Sequence, residues 1–225
     1  MSKKISVIIP ALNEERYLPG TLERLKQSDH IEVIVVDGGS ADRTADIARS
    51  FTGKVFSVSP GRARQMNEGA RMAEGDVLLF LHADSLIAPG GLDKILPALQ
   101  ENGAVGGAFR LKIDSGNFFL KSLACLTNLR CLVSGVPYGD QGIFILRETF
   151  QKIGGYPEIP ILEDVELARK MKRAGKTVLL NERVMTSARR WAKEGLLMTT
   201  VRHRWIMLLY FLGVSPRRLG RFRHA

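Results

Sequence analysis

The sequence has few of the features that mark secreted or membrane-spanning proteins. Its 225 residues include two cysteines, Cys125 and Cys131, which have neither metal-ligand spacing nor a disulfide framework. This usage predicts a reducing compartment. No signal peptide is visible, because residues 1–4 lead directly into a short strand pattern. The apolar stretch 118–133 is interrupted by two cations and is too short for a membrane span. We therefore expect a cytoplasmic protein.

Several nucleotide-binding and catalytic motifs are also missing. The loop after the first strand pattern reads PALNEE (10–15), without the glycines of a dinucleotide-binding fingerprint. No GxxxxGK[ST] loop follows a strand pattern, which argues against a P-loop NTPase. No GxSxG elbow is present, which argues against the corresponding serine hydrolases.

Acidic residues are scarce in the last part of the chain. From Arg183 onward, ten lysines and arginines accompany a single acid, Glu194, and the formal net charge of the whole chain is +10. The remainder is therefore close to neutral. A basic segment suits an anionic membrane surface, nucleic acid or a phosphorylated substrate. The apolar run 205–214 is too short to cross a bilayer, so it predicts either an interfacial helix or a helix packed on the core or on a second subunit.

The first half of the chain alternates between strand and helix patterns four times. Apolar runs predict strands at 5–10, 31–37, 54–58 and 76–81. Helices are predicted at 13–27, with Asn13 as the N-cap, from 40 or 42 to 50, and after Gly61. Small and apolar residues recur along one face of the third helix, at Ala63, Met66, Ala70 and Ala73. The alternation predicts βαβ units with a parallel sheet.

The second half is less regular. Helices are predicted at 91–99 and 164–173, strands at 142–146 and 177–180, and an extended segment weakened by two glycines at 104–113. We expect one domain over residues 1–182, with halves at about 1–100 and 101–182. A basic, partly apolar helical segment would then occupy residues 183–225.

Residues that can carry chemistry follow the predicted strands. Glu14 comes after the first strand, Asp37 after the second, and His82 and Asp84 after the fourth. Ligands of open α/β sheets bind at the carboxyl ends of the strands. Asp84 can offer a hard oxygen to a divalent cation, and His82 lies on the same side if the chain is still extended.

Charged residues also open two of the predicted helices. Glu163 and Asp164 begin the late helix, and Arg62 and Arg64 begin the helix after the third strand, where they can hold a diphosphate. Each residue alone has a simpler explanation, because acids complement helix dipoles or shape turns and arginines at helix starts are often solvated. Their joint placement at one edge of a sheet favours a functional site.

Four ordered segments resemble a known family. ISVIIPALNEE, IEVIVVDGGSADRT, EGDVLLFLHADS and GGYPEIPILEDVELARKMKRAG resemble the family 2 inverting glycosyltransferases, over about residues 5–180. GRARQMNEGA, FLHAD, YGDQ and EDVEL resemble more narrowly a bacterial subgroup, the arsenosugar biosynthesis glycosyltransferases. The resemblance implies an α/β GT-A fold, Rossmann-like, with a mostly parallel sheet flanked by helices.

The resemblance also implies roles for individual residues. The loop beneath the nucleotide base and ribose would comprise Pro10, Leu12 and Glu14, with Asp37 bound to the base. The diphosphate would be bound by Arg64 and by a DxD-like motif formed by His82, Ala83 and Asp84. Its last acid, Asp84, would hold Mg²⁺ or Mn²⁺, with His82 as a second candidate ligand. The sequence departs from the family at two points. His82 stands where the family's DxD motif has its first acid, and the family's common ARN triplet reads ARQMN here, which separates Arg64 from Asn67.

At the acceptor end, the resemblance implies that Asp164 is the general base and that Glu163 positions it or the acceptor. Tyr138, Asp140 and Gln141 precede a predicted strand and are candidates for lining the acceptor pocket or for shaping the turn.

The predicted activity is a metal-dependent, inverting sugar transfer from a uridine- or guanosine-linked donor. The acceptor is left open between a small metabolite, a lipid carrier and a glycan. The basic segment predicts peripheral attachment to an anionic membrane; nucleic acid is not the expected partner, and a homo-oligomer is possible. One alternative is a sugar nucleotidyltransferase, which would need a glycine-rich GxGTR-like loop. The other is a non-catalytic module that binds nucleotide or membrane.

Overall fold

The strands form one mixed sheet. The structure is a computed structural model that describes residues 4–26 and 30–220. Its strands are β1 (Ile5–Ala11), β2 (Ile31–Asp37), β3 (Val55–Ser57), β4 (Val77–Phe80), β5 (Ser85–Ile87), β6 (Gly106–Asp114), β7 (Ile143–Leu146) and β8 (Thr177–Ser187). They lie in the order β3-β2-β1-β4-β7-β6-β8-β5. Four of the seven pairings are parallel. The predicted fold class, an α/β sheet that is mostly parallel, is confirmed.

Helices cover both faces of this sheet. They are α1 (Leu18–Leu25), α2 (Thr44–Phe51), α3 (Arg62–Met72), α4 (Ile95–Asn102), α5 (Phe118–Ser134), α6 (Arg147–Lys152), α7 (Glu163–Ala174), α8 (Arg189–Glu194), α9 (Leu196–Phe211) and α10 (Pro216–Leu219). Within the described residues, no helix is long and apolar enough to cross a membrane. Both cysteines are free, with Cys125 exposed and Cys131 buried.

The core has two main layers because side chains alternate along the strands. Val7 and Ile9 of β1 pack in one layer with Leu18 of α1. Ile8 points to the opposite layer, where it joins Met66 of α3. The predicted apolar face of α3 is confirmed, since its small and apolar members are all buried: Ala63, Met66, Ala70 and Ala73.

The topology brings many strand ends to one edge. β1, β2 and β4 are parallel, so Ala11 pairs with Asp37 and Ile8 with Phe80 near their carboxyl ends. β7 runs antiparallel to β4 and begins at this edge, where Ile143 pairs with Phe80. β6 and β8 run parallel to each other and antiparallel to β7, so they end at the same side. Residues that follow β8 therefore arrive beside those that follow β4.

Two sequence predictions differ from the structure. Helix α1 begins at Leu18, and Asn13 has a φ of 55°, a left-handed conformation that asparagine tolerates. Asn13 is therefore a loop residue and not an N-cap; the predicted helix end at Gln27 lies outside the described residues. Strand β8 continues to Ser187, so the predicted boundary at residue 182 falls inside it. Of the basic C-terminal residues, Arg221 and Arg223 also lie outside the described residues.

Glycine is required within β6. A Cβ atom placed on Gly107 would lie 2.2 Å from the backbone oxygen of Val178 and 2.7 Å from the Phe144 ring. The pair of glycines that weakened the strand pattern thus permits close approach of neighbouring backbones.

We expect Gly107→Ala to lower the free energy of unfolding by roughly 2 kcal/mol or more, measured by urea denaturation. Gly116→Ala is the matched control, because its Cβ would meet open space; equal stability of the two variants would contradict the packing argument.

Candidate functional site

Asp37 ties together the loops that follow β1 and β2. It is 4% exposed, and its carboxylate accepts hydrogen bonds from the backbone N–H groups of Gly39 and Ser40, both at 3.0 Å. The Ser40 hydroxyl donates to the same carboxylate and accepts a hydrogen bond from the Asn13 N–H at 2.9 Å. Asp37 therefore shapes the loop at the edge where ligands of parallel sheets bind.

The loop after β1 lies on this edge. Pro10 is the penultimate residue of β1, and Leu12, just beyond the strand, is 42% exposed. The backbone N–H of Glu14 donates to the Thr44 hydroxyl at 2.7 Å, which anchors the loop to the start of α2. The predicted nucleotide-binding residues Pro10, Leu12 and Glu14 thus lie beside Asp37, as their positions after neighbouring strands require.

Arg189 connects two of the predicted acids. Its Nη1 donates to the Glu14 carboxylate at 2.6 Å, and a second hydrogen bond from Nη2 makes the contact bidentate. Its Nε lies 3.0 Å from Oδ2 of Asp84, and the guanidinium stacks over the Tyr17 ring at 4.5 Å. The hydrogen bond with Glu14 raises the pKa of Arg189. One cation from the region after β8 thus joins the loops after β1 and β4.

His82, Ala83 and Asp84 follow β4 as predicted. Ala83 is buried, and its carbonyl accepts a hydrogen bond from the Thr21 hydroxyl at 2.8 Å. Burial lowers the pKa of His82 well below its usual value, and nearby positive charge lowers it further, from Arg62, Arg190 and Arg189. The imidazole is therefore neutral at physiological pH, with one ring nitrogen free to accept a hydrogen bond or bind a metal.

Gly139 brings the acceptor end of the site next to His82. Its N–H donates to Oδ2 of Asp164 at 2.6 Å. A Cβ placed on Gly139 would lie 3.0 Å from that same Oδ2 and 3.3 Å from Nε2 of His82. The Val165 N–H donates to the other oxygen of Asp164 at 2.8 Å. Two backbone donors therefore hold the Asp164 carboxylate close to the residues that follow β4.

Glu163 is buried at the start of α7. It is 5% exposed, and its Oε1 lies 3.3 Å from Nη1 of Arg62. Arg64 is held elsewhere, by hydrogen bonds to the Ser59 hydroxyl at 2.5 Å and to Glu158 at 3.0 Å. Arg62 supplies positive charge at His82, so this neighbour of the predicted Arg64 is the arginine of α3 that acts on the site.

The turn before β7 combines structural and chemical residues. Gln141 is fully buried: its Oε1 accepts from the Tyr138 N–H at 3.0 Å, and its Nε2 donates to the Phe109 carbonyl at 3.4 Å. These contacts shape the turn. The Tyr138 ring stacks against Arg130, whose guanidinium carbon lies 3.6 Å from the ring centre.

Asp140 is a carboxylate of this turn with a raised pKa. Its Oδ1 is buried and has no hydrogen-bond partner among the described residues. Burial, followed by the charge of Asp164, raises the pKa of Asp140 to about 6, against the opposing effect of Arg190 and Arg130. A carboxylate in this state changes protonation near neutral pH.

These contacts form one rim. Asp37 is joined through Ser40 to the loop after β1, Glu14 is joined through Arg189 to Asp84, and His82 and Asp164 meet at Gly139. Carboxylates, a neutral imidazole and arginines therefore lie together where three parallel strands end. This combination suits an anionic ligand bound together with a divalent cation.

Comparison with known proteins identifies the family. The sequence model of Glycosyl transferase family 2 matches residues 6–154. The chain belongs to Glycosyl transferase family 2. A curated family 2 relative, an uncharacterised glycosyltransferase of Haemophilus influenzae, is 29% identical over 181 residues, which are 74% of this chain and 61% of the relative. The chain thus spans less than two thirds of that relative.

Solved structures share the fold of this family 2 chain. TarS of S. aureus, solved with UDP-GlcNAc, superposes with a TM-score of 0.67 at 21% identity, over 82% of this chain and 58% of TarS. The mannosyltransferase PcManGT from Pyrobaculum calidifontis, solved with GDP-Man and Mn²⁺, gives a TM-score of 0.63 at 17% identity, over 82% of this chain and 57% of that one. The predicted GT-A fold is confirmed.

The donor set of this family 2 chain suits a metal that the ligand helps to hold. The described residues contain no cluster of three or more His, Cys, Asp or Glu side chains that could hold a metal ion. Asp84 provides one carboxylate and His82 one neutral imidazole. Mg²⁺ in phosphate-transfer sites is usually bound by one or two carboxylates, water and substrate phosphates. The residues therefore fit a divalent cation that arrives with a diphosphate.

Arg189 is a member of the site that the sequence did not indicate, whereas Arg62 was a candidate together with Arg64. Arg189 was counted within the basic segment, 175 residues from its partner Glu14. The feature that could have indicated Arg189 is its position shortly after a strand. Arg190 shares this position, so the feature does not tell the two arginines apart. Arg62 was recognised beside Arg64, but sequence alone does not tell which of two arginines near a helix start faces inward.

The perturbed pKa of Asp140 predicts a pH-dependent stability change. Because the folded-state pKa, about 6, lies above the usual value, the native state binds the proton more tightly, and stability is lost as pH rises through 6. Asp140→Asn should therefore raise the free energy of unfolding at pH 8, by at most about 3 kcal/mol, and have little effect near pH 4. Urea denaturation at both pH values tests this, with exposed Asp93→Asn as the control. A gain that does not depend on pH would contradict it.

Proposed function

We propose that this chain transfers a sugar from a nucleoside diphosphate sugar to an acceptor hydroxyl with inversion at the anomeric carbon, assisted by Mn²⁺ or Mg²⁺. The observation that carries the proposal is the continuous rim in which Arg189 joins Glu14 to Asp84 and Gly139 joins His82 to Asp164. Donor-binding and acceptor-activating groups then lie within one cleft, as a single displacement requires.

The loops after β1 and β2 are assigned to the nucleotide. Asp37 and Ser40 hold these loops together, and Leu12 is exposed beside them for contact with a base or ribose. Related folds carry UDP-GlcNAc and GDP-Man, which supports a uridine- or guanosine-linked donor. Pro10 and Glu14 complete the loop, with Glu14 held by Arg189.

The diphosphate is assigned to the region around Asp84. A divalent cation bound there would neutralise charge that develops on the leaving diphosphate. Asp84 and His82 would hold it, and Ala83 packs beneath them. In the described structure Arg189 occupies the Asp84 carboxylate. With a cation at Asp84, the Nε of Arg189 would be free to pair with the diphosphate, while its two terminal nitrogens stay on Glu14. Arg62 adds positive charge at His82, while Arg64, which is bound to Ser59 and Glu158, stays a predicted diphosphate ligand.

The acceptor is assigned to a proposed cleft bordered by Asp164 and the turn before β7, which touch each other at Gly139. Asp164 would take the proton of the attacking hydroxyl as the new glycosidic bond forms. Glu163, bound to Arg62, would position this end of α7. Tyr138 and Asp140 would line the cleft, and Gln141 holds the turn that presents them. No enzyme nucleophile is needed, so the anomeric configuration inverts.

Several narrower assignments belong to the same proposal. The blocks quoted above support membership of the arsenosugar biosynthesis subgroup, and the basic segment supports a cytoplasmic location at the inner face of a membrane. A homo-oligomer stays a prediction. The nucleotidyltransferase alternative is disfavoured because the loop after β1 lacks the glycine-rich sequence.

A thermal-shift screen of nucleotide sugars tests the proposed function. With Mn²⁺ present, a ligand selective for the native state should raise the melting temperature, and we expect this from a UDP- or GDP-sugar but not from ATP. NMR of the transfer product should then show the inverted anomer. Stabilisation by ATP alone, or retention of configuration, would contradict the proposal.

A further inference from the structure

Helices α5 and α9 expose almost all of the large apolar side chains that the described surface shows. Apart from Leu12, every exposed large hydrophobic residue of residues 4–26 and 30–220 lies on α5, on α9 or at the residue that ends α9. On α5 the exposed members include Phe118, Leu126, Leu129, Leu132 and Val133. A concentration of this kind marks an interaction surface, because scattered exposure is the rule elsewhere.

The exposed residues of α9 form a stripe along one side of the helix. The apolar members recur at three- and four-residue intervals: Leu197, Val201, Trp205, Leu208 and Phe211. Arg204, which is also exposed, lies between them. The opposite side packs on the protein through Thr199, Ile206 and Tyr210. Helix α9 is therefore apolar on its outward side as well as on the side that packs on the protein.

The two helices border the same side of the molecule. Leu196, the first residue of α9, packs in a cluster with Leu120 and Ala124 of α5. Farther along, Ile206 and Tyr210 of α9 pack in a second cluster with Val136, which follows α5. Helix α5 and the turn that follows it therefore share packing clusters with both ends of α9, and Tyr138 of that turn belongs to the second cluster.

Positive charge accompanies this apolar surface. Neither α5 nor α9 contains an acidic residue, whereas they carry the exposed cations Lys121 and Arg204. Beside α5 lies a groove of about 520 Å³, in which Leu129 and Leu132 face four cations: Arg110, Lys112, Lys121 and Arg183. Exposed Arg217 and Arg218 follow α9.

We propose that α5 and α9 form a docking surface for an anionic phospholipid bilayer, into which their apolar side chains insert while the groove beside α5 holds a lipid phosphate. Apolar side chains, a tryptophan and flanking cations are the features that hold helices at a lipid interface. A second copy of the chain fits less well, because a symmetric contact would bring like-charged helices together without acids to pair them. The surface borders the proposed acceptor cleft but does not depend on the proposed transfer.

Vesicle sedimentation tests the docking surface. The chain should sediment with vesicles of equal parts phosphatidylcholine and phosphatidylglycerol, far less with phosphatidylcholine alone, and less at high salt. Lys121→Glu should weaken binding to the mixed vesicles by about tenfold or more, and Leu129→Asn combined with Leu132→Asn by a similar factor. Lys152→Glu, an exposed charge reversal on α6, is the matched control and should change binding by no more than about twofold.

Two further readouts make the test decisive. Urea denaturation and binding of UDP-sugar with Mn²⁺ should be the same in all four proteins, so loss of vesicle binding is not loss of the fold or of the proposed donor site. Equal binding to both kinds of vesicle, or to neither, would overturn the docking surface. A dimer that the Leu129 and Leu132 substitutions dissociate, without vesicle binding, would assign the face to a second copy.

Discussion

Asp164→Asn should lower the rate of sugar transfer by about 10² or more while leaving donor affinity nearly unchanged. The carboxylate is held by the N–H groups of Gly139 and Val165, beside His82. Asparagine keeps the size and one accepting oxygen but cannot take a proton from the acceptor hydroxyl, and loss of a general base has an effect of this size. Donor contacts assigned to Asp37, Asp84 and Arg189 are left intact.

Single-turnover kinetics and calorimetric donor titration together measure this effect. Asp114→Asn, an exposed carboxylate at the end of β6, is the matched control and should transfer sugar at the normal rate. Full activity of Asp164→Asn would remove the base assignment from this residue. Loss of donor affinity along with activity would instead assign Asp164 to the structure of the cleft.

Arg189→Gln should have opposite effects on metal binding and on transfer. Without nucleotide, Arg189 is the cation paired with Asp84, at 3.0 Å, and any divalent ion must displace it. Its removal leaves the carboxylate free, so Mn²⁺ should bind the ligand-free protein more tightly, by about tenfold for a contact of roughly 1 to 2 kcal/mol. Transfer should nevertheless fall by about 10² to 10³, because a donor aimed at the developing charge of the leaving diphosphate is lost.

Electron paramagnetic resonance of Mn²⁺ measures the affinity independently of activity. Arg49→Gln is the matched control, because Arg49 also pairs with an acid, Asp46, but on the exposed surface of α2. This control should change neither quantity. If Arg189→Gln left both Mn²⁺ affinity and transfer unchanged, Arg189 would be a structural link between Glu14 and Asp84 with no part in donor binding.

The sequence predicted the parts of the site that follow directly from parallel topology. Buried runs identified β1, β2 and β4, and an acid after each run had to reach the same edge because parallel strands end together. The placement of Asp37 and Asp84 at the same edge of the sheet is therefore a consequence of strand order and direction. Helix α7 was predicted to start at Asp164 from its acidic first turn, and it starts one residue earlier, at Glu163.

Other features depend on contacts that no local pattern encodes. Strand β7 lies antiparallel between β4 and β6, and its direction brings the turn with Gly139 and Asp140 to the site. Arg189 reaches Glu14 and Asp84 because β5, which follows Asp84 directly, pairs with the end of β8, where Ser85 lies opposite Thr186. Gly107 weakens the strand pattern of the sequence. The sheet nevertheless requires glycine there, because the backbone oxygen of Val178 leaves no room for a Cβ atom. In each case tertiary packing outweighed local preference.

Calorimetric titration of nucleotide sugars is the most direct test of the shared rim. In the presence of Mn²⁺, the chain should bind UDP-GlcNAc or GDP-Man, and Asp84→Ala should abolish the Mn²⁺-dependent part of that binding, while exposed Asp93→Ala should bind as the original chain does. Absence of binding to every nucleotide sugar tried, or equal Mn²⁺-dependent binding by Asp84→Ala, would contradict the account.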